Sequence, residues 1–469
     1  MSEPAPATPR AEYMRRLEMR RAEAAALERR HRSLGNLRLL TFVAAAALAW
    51  LVFAAGAASR LWLAVPAGLF AVLVVLHDHV LRERSQTARA VSYYEKLLAR
   101  LEGNWIGTAE TGERYLKPAH PYAEDLDLFG RGSLFELLCT ARTRAGEATL
   151  AQWLQKPARP EVARARQAAI AELRSKLNLR EDLAVLGEEA GSGVNPEELA
   201  AWGAAPPLLG GRRARMALLT LACLTTLSAG AWAVWGWRDP FVILLAAQLA
   251  LMYRLRKRLA RVVHAVERPA HDLALLAAVL ARIEKEQFQS PRLVELRAGL
   301  ATGGWPLSRR VARLNRWIEL LDSRDNLFVR VADPMILWSL QMAFAVEAWR
   351  GRWGPGIGAW IAALGEIEAL SSLAEYSYEH PGDPFAEFAA ESPCLEGEGL
   401  GHPLLPESRV VRNDVRLGGE CRVLVVSGSN MSGKSTLLRT VGVNVVLAQA
   451  GASVRARRLH PRAGLAARR

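Results

Sequence analysis

Residues 39–58 read L-L-T-F-V-A-A-A-A-L-A-W-L-V-F-A-A-G-A-A, a run without a single charge. About 20 apolar residues are what a helix needs to cross a bilayer core, so the run has two folding solutions: a membrane span, or a helix enclosed on every side by a large protein core. A second, shorter run at 61–76 ends at His77-Asp78-His79 and pairs with the first as a helical hairpin. The plan repeats at 216–237 and 241–253, separated by Arg238-Asp239-Pro240, with Gln248 inside the last run. Arg212, Arg213 and Arg215 precede this second pair, and Arg254, Arg256, Lys257 and Arg258 follow it. Because Lys and Arg mark the cytoplasmic flanks of spans, both hairpins are expected to enter from the cytoplasm and return to it. Trp232, Trp235 and Trp237 sit where an interfacial aromatic belt would lie. The expectation is a multi-pass membrane protein with cytoplasmic soluble parts; buried core helices are the alternative for both pairs.

Charge and cysteine usage narrow the remainder. The net charge is +14, from 61 basic against 47 acidic residues. Such an excess can serve nucleic acid, anionic lipid or the flanks of spans. Here the densest Arg clusters abut the apolar runs, so the flanks account for much of it. Cys139, Cys223, Cys394 and Cys421 form no C-x-x-C, which argues against a zinc site or disulfide framework and fits a reducing compartment. The first thirty-odd residues are charged and helix-prone, unlike a cleavable signal peptide.

These features divide the chain into six parts: a basic N-terminal helix at 1–36, a first transmembrane hairpin at 37–81, a helical core domain at 82–211, a second hairpin at 212–258, a helical core or connector at 259–395, and an α/β portion at 396–469. The fold class is therefore mainly α, with a C-terminal α/β portion and two transmembrane helical hairpins. The arginine-rich face of 1–36 reads as solvated. Ser133 with Glu136 three residues on has capping-box spacing. Leu364, Ile367, Leu370 and Leu373 recur at three-residue steps, as one core-facing helical stripe does. After Pro393 short β-type runs appear at 401–405 and 410–417, and C-R-V-L-V-V-S at 421–427 suits a buried strand.

Directly after that run comes G-S-N-M-S-G-K-S-T at 428–436, which satisfies G-x-x-x-x-G-K-[ST] in full. Gly428, Ser429, Asn430, Met431, Ser432, Gly433, Lys434, Ser435 and Thr436 are the candidate phosphate-binding residues. Gly428 and Gly433 permit backbone angles that turn successive N–H groups inward around an anion. Lys434 would reach the β- and γ-phosphates, Ser435 would place its hydroxyl on Mg²⁺, and Thr436 lies near the α-phosphate. A helix opening at Lys434 adds the positive end of its dipole. Strand, loop and helix in that order are the context the motif requires. ATP and Mg²⁺ are the implied cofactors.

Asn430-Met431 within the loop resembles the DNA mismatch-repair MutS family, whose phosphate loop typically reads G-P-N-M-x-G-K-S-T; Ser429 stands where that family has Pro. G-H-P-L-L at 401–405 and Asn413 within V-R-N-D-V-R-L resemble the family's lead-in to its ATPase domain. D-L-F-G-R-G-S-L-F-E-L-L at 127–138 and T-R-A-G-E-A-T-L-A-Q-W-L at 143–154 resemble its core helical domain. The resemblance implies an ATPase fold, DNA as a partner, and a homodimer in the intact form. The sequence departs from the family in having no recognisable mismatch-reading domain, in carrying apolar hairpins where relatives have soluble connectors, and in an Arg/Ala-rich ending without Asp or Glu. That ending reads as a C-terminal truncation, with the Walker B and signature regions missing and hydrolysis correspondingly weak, so the expected fold is mainly α with an incomplete C-terminal α/β P-loop NTPase portion. Two other functions remain open at this level: an ABC-type transport ATPase, and a catalytically dead membrane scaffold; membrane lipid is a partner in all three.

Overall fold

The computed structural model describes residues 8–54, 59–191, 194–300, 306–323, 327–388, 395–418, 421, 423–429 and 433–461. Its architecture is mostly helical with one small sheet. In chain order the helices are α1 (Pro9–Phe53), α2 (Ala64–Leu101), α3 (Leu134–Leu138), α4 (Arg144–Gln155), α5 (Pro160–Arg174), α6 (Leu177–Gly191), α7 (Pro196–Ala204), α8 (Arg212–Trp235), α9 (Arg238–Lys285), α10 (Pro291–Leu300), α11 (Leu307–Asp322), α12 (Leu327–Ile336), α13 (Trp338–Trp353), α14 (Ile357–Glu379) and α15 (Lys434–Ala450). The strands are β1 (Leu395–Leu400), β2 (Asn413–Leu417) and β3 (Arg458–His460).

Local chemistry sets where several helices begin. Thr8 accepts a hydrogen bond from the Ala11 amide, and Pro9 at the first helical position needs no partner of its own. Asn195 before Pro196 repeats the device for α7. Ser133 accepts from the Glu136 amide at 3.2 Å, as the capping spacing predicts. The Glu136 carboxylate, however, accepts from the amides of Gly132, at 2.6 Å, and Gly107 instead of closing the box.

Helix α14 is the axis of the core. Leu364, Ile367, Leu370 and Leu373 are all buried, as their spacing predicts, but so are Glu368, Glu375 and Glu379 on its other faces. A helix buried all round packs neighbours on every side, and α4, α5, α7 and α10 lie against it. Gly365 permits the closest approach: a Cβ there would lie 2.7 Å from the Ala145 carbonyl oxygen of α4.

The first hairpin is α1 against α2. Its stem docks on the core through Tyr13, Leu17, Tyr93, Tyr94, Leu97 and Ala184. The α1 stem is thus only partly solvated, in contrast to the sequence expectation. Arg16 and Arg20 pair with Glu181 of α6 at 3.4 and 2.6 Å. Its tip carries Leu39, Phe42, Trp50, Phe53, Leu61, Trp62 and Val75 outward to solvent. The second hairpin, α8 against α9, also exposes its apolar side chains, including Trp232, Trp235 and Trp237. It turns at Gly236, which is left-handed at φ 77°, so Arg238, Asp239 and Pro240 form the first turn of α9 rather than the loop. Among the described residues, four helical stretches are long and apolar enough to cross a membrane: Pro9–Phe53, Leu61–Leu101, Arg212–Trp235 and Trp338–Glu379. The last is largely buried in the core, whereas the first three are not. The run at 241–253 is the opening of a 48-residue helix and is not among them. Helices α1, α2 and α9 continue through positions 36, 81 and 258, so each apolar tip shares its helices with the rest of the body.

The sheet is antiparallel in the order β2-β1-β3, pairing Leu395 with Leu417 and Gly397 with Leu459. Of the expected strand at 421–427, position 422 lies outside the described residues and 423–427 do not form a strand: 423–429 have no regular secondary structure, and Val423 and Val425 are exposed. A strand exists only by pairing with a neighbour, and the sheet found among the described residues is β2-β1-β3, which 423–427 do not join. Among the described residues no further strand lies beside 423–427. Residues 401–405 form a turn rather than a strand.

Burial of charge gives this core a pH dependence. Glu368 lies fully inside, accepting from the Arg142 amide at 3.3 Å and from the Thr143 hydroxyl. Burial pushes its carboxyl up to about 7 from the usual 4.5, against the opposing pull of those hydrogen bonds. Between these values the folded chain retains a proton that the unfolded chain has released. Stability therefore falls as pH rises from about 4.5 to about 7, by roughly 3 kcal/mol at most from this group. Glu368→Gln is expected to flatten that part of the profile of unfolding midpoint against pH; a mutant with the wild-type slope would contradict the assignment.

Candidate phosphate-binding site

The site is built on the first turn of α15. Its first amides, like those of any helix, have no partner within the helix, and no side chain caps them. Gly433, immediately before, has φ +80°, and Gly428, at the other end of the loop, has φ +153°. Both angles are ones that a side chain would strain, so the two glycines stand where the motif needs them. Gly433, Ser435 and Thr436 are exposed and Lys434 is half-buried. The Lys434 ammonium reaches back across the loop and donates to the Gly428 carbonyl. Asn430, Met431 and Ser432 lie outside the described residues. Gly428, Ser429, Gly433, Lys434, Ser435 and Thr436 are therefore the site residues the structure describes.

This arrangement collects positive potential at one exposed point: an ammonium, the unpaired amides of a helix start and the end of its dipole, with no acidic side chain in the first turn. The described residues fit a polyphosphate. Residues 434–469 contain no Asp or Glu, so the segment after the loop offers no carboxylate to hold a metal or orient a water.

The rest of α15 is fixed to the body by polar contacts that sequence reasoning missed. Asn444, fully buried, donates to the carbonyls of Gly401 and Thr440 at 3.0 and 2.8 Å and accepts from the Arg455 amide at 2.8 Å. One side chain thus ties the G-H-P-L-L turn, α15 and the chain leading to β3 together. A lone Asn in the apolar run V-G-V-N-V-V-L-A was the available signal. In the turn, His402 is buried, which pushes its imidazole below the usual range and leaves it neutral, so that Nδ1 accepts from the Leu404 amide at 3.3 Å. Arg439, on the exposed face of α15, pairs with Asp127 at 2.5 Å, and Leu126 packs over Gly442. The D-L-F-G segment and the phosphate-loop helix are therefore in direct contact. Arg455 joins Asp383 at 3.2 Å and also pairs with Glu407. Among the described residues no cluster of three or more His, Cys, Asp or Glu could hold a metal ion.

No protein-family model matches the chain. Partial similarity is found to curated proteins. Endonuclease MutS2 of Pediococcus pentosaceus is 37% identical over 89 residues, covering 19% of this chain and 11% of that protein. Endonuclease MutS2 of Pelotomaculum thermopropionicum is 39% identical over 98 residues, or 21% and 12%. DNA mismatch repair protein MutS of Chlorobium phaeovibrioides is 40% identical over 105 residues, or 20% and 11%. The matched part of the chain spans about a tenth of the length of these relatives. About a fifth of this chain is thus related in sequence to the MutS and MutS2 proteins of the DNA mismatch-repair family.

Proposed function

We propose that the chain is a membrane-anchored, MutS-like ATP-binding protein in which residues 428–436 hold the nucleotide. The observation that carries the reading is the geometry at the start of α15: two positive-φ glycines bracket a loop that Lys434 spans, ahead of an uncapped helix N-terminus. Backbone amides of 433–436 and the Lys434 ammonium bind the phosphates, and the Ser435 hydroxyl is the ligand this chain offers to Mg²⁺. Mg²⁺ held there would supply positive charge to offset that of the phosphates. Asn430, Met431 and Ser432 complete the loop by motif. Residues 434–469 supply no carboxylate to orient an attacking water, so what these residues do is bind the nucleotide rather than hydrolyse it.

The anchoring part of the reading is supported by the outward-facing apolar side chains on both hairpins and by the Arg and Lys residues at their bases. The mismatch-repair proteins among the relatives support DNA as a partner, and the same proposal includes a homodimer as the working form and membrane lipid around the hairpins. Titration of purified chain with a fluorescent non-hydrolysable ATP analogue and Mg²⁺, alongside a phosphate-release assay, tests this. Saturable binding that EDTA weakens, with little release, is the expected outcome. No binding would overturn the nucleotide reading, and fast release abolished by Lys434→Ala would overturn the binding-without-turnover part.

A further inference from the structure

At the base of the second hairpin, Arg212, Arg213, Arg215, Arg254, Arg256, Lys257, Arg258 and Arg261 gather on α8 and α9. Asp239, at the distant turn, is the one acidic residue between 212 and 266. None of these cations has a carboxylate within 4.0 Å among the described residues, although Arg15, Arg16 and Arg20 on α1 all do. A collar of this density whose cations the fold leaves without carboxylate partners suits an external anion. It lies about 20 residues, or about 30 Å, along each helix from the turn at Gly236, which is the thickness of a bilayer's hydrocarbon core.

Beside the collar is an open cavity of about 410 Å³, lined by Met252, Tyr253, Arg256, Leu259, Ala260 and Leu340. The five residues of α9 fall within two helical turns, and Leu340 closes the far side from α13. The walls are apolar, and the polar groups sit together at one place: the Arg256 guanidinium lies 4.0 Å from the Tyr253 ring centroid and donates to its hydroxyl at 3.4 Å. An apolar slot with a cation at its mouth, at the depth where headgroups begin, has the chemistry of one ligand class. We infer that this groove binds a single anionic phospholipid, with an acyl chain along Met252, Leu259, Ala260 and Leu340 and the phosphate at Arg256.

The inference rests on the membrane reading above, and the test separates the two. The full chain is purified in neutral detergent with equimolar phosphatidylglycerol and phosphatidylcholine, and lipid retained per protein is counted by native mass spectrometry. Phosphatidylglycerol is expected to be retained at least about fivefold over phosphatidylcholine, the preference that about one cation near a surface supplies. Arg256→Gln should remove about that factor. Leu259→Trp should lower occupancy by filling the slot with the charge unchanged, while circular dichroism confirms the fold of both variants. Equal retention of the two lipids, or both variants retaining lipid as the parent does, would overturn the inference. So would competition by inorganic phosphate as effective as competition by lipid, or Arg256→Gln weakening duplex DNA binding while lipid retention stands. A chain that stays in solution without detergent and does not enter vesicles sinks the membrane reading itself; one that inserts with no preference for phosphatidylglycerol sinks this inference alone.

Discussion

Lys434→Ala is expected to weaken binding of an ATP analogue about 10- to 100-fold, because it removes a charge-assisted contact of about 1.5–3 kcal/mol. In the present structure the Lys434 ammonium is held on the Gly428 carbonyl, so it is already positioned over the loop it would close around a phosphate. Alanine has higher helix propensity than lysine and α15 begins here, so the helix itself should survive the exchange. The expected pattern is therefore a large loss of affinity with an unfolding midpoint close to that of the parent. Fluorescence anisotropy of the labelled analogue and a thermal melt of the same preparation measure the two quantities. Equal affinity in parent and variant would show that the loop does not hold the phosphates.

The largest effect on stability is expected from Glu375→Ala, a loss of about 3–5 kcal/mol. Its carboxylate is enclosed by the core and accepts from the Tyr13 hydroxyl at 2.6 Å, from Arg180 at 2.8 Å and from the Tyr93 hydroxyl. Arg180 is itself almost wholly buried, so truncation leaves a guanidinium without its counter-charge and two phenols without an acceptor. Burial raises both phenols well above their usual range, so they remain donors at neutral pH. Tyr13 lies on α1, Tyr93 on α2 and Arg180 on α6, so the same carboxylate fastens the stem of the first hairpin to the core. Loss of protection from amide exchange should accordingly appear first at the start of α1. Tyr93→Phe, which removes a donor and leaves the ion pair intact, should cost only about 1 kcal/mol. Glu375→Ala as stable as Tyr93→Phe would mean that the buried charge is satisfied elsewhere.

Much of the fold was legible where a pattern is local. The periodic stripe of α14, the start of α15 at Lys434 and the cap at Ser133 each depend on residues within one or two helical turns, and each stands as the sequence implies. The failures share a cause. Glu375 meets Tyr13 across 362 positions and Arg439 meets Asp127 across 312, and a single sequence carries no sign of such pairings. Strand β1 reads L-E-G-E-G-L, with two glycines and no β-branched residue, so its propensity points away from a strand that pairing with β2 and β3 then imposes. The opposite error occurs at 423–427, where strong β-type composition finds no neighbour among the described residues. At the candidate phosphate-binding site the motif marked the start of α15, but the ties of Asn444, His402 and Arg455 that anchor the helix came from the structure.

The most direct test of the central claim is amide exchange across 428–436 with and without a Mg²⁺-bound ATP analogue. Nucleotide capture by the backbone predicts that exchange of these amides slows on ligand addition, while peptides from the interior of α14 stay as they were. Unchanged exchange through the loop at saturating analogue would contradict it.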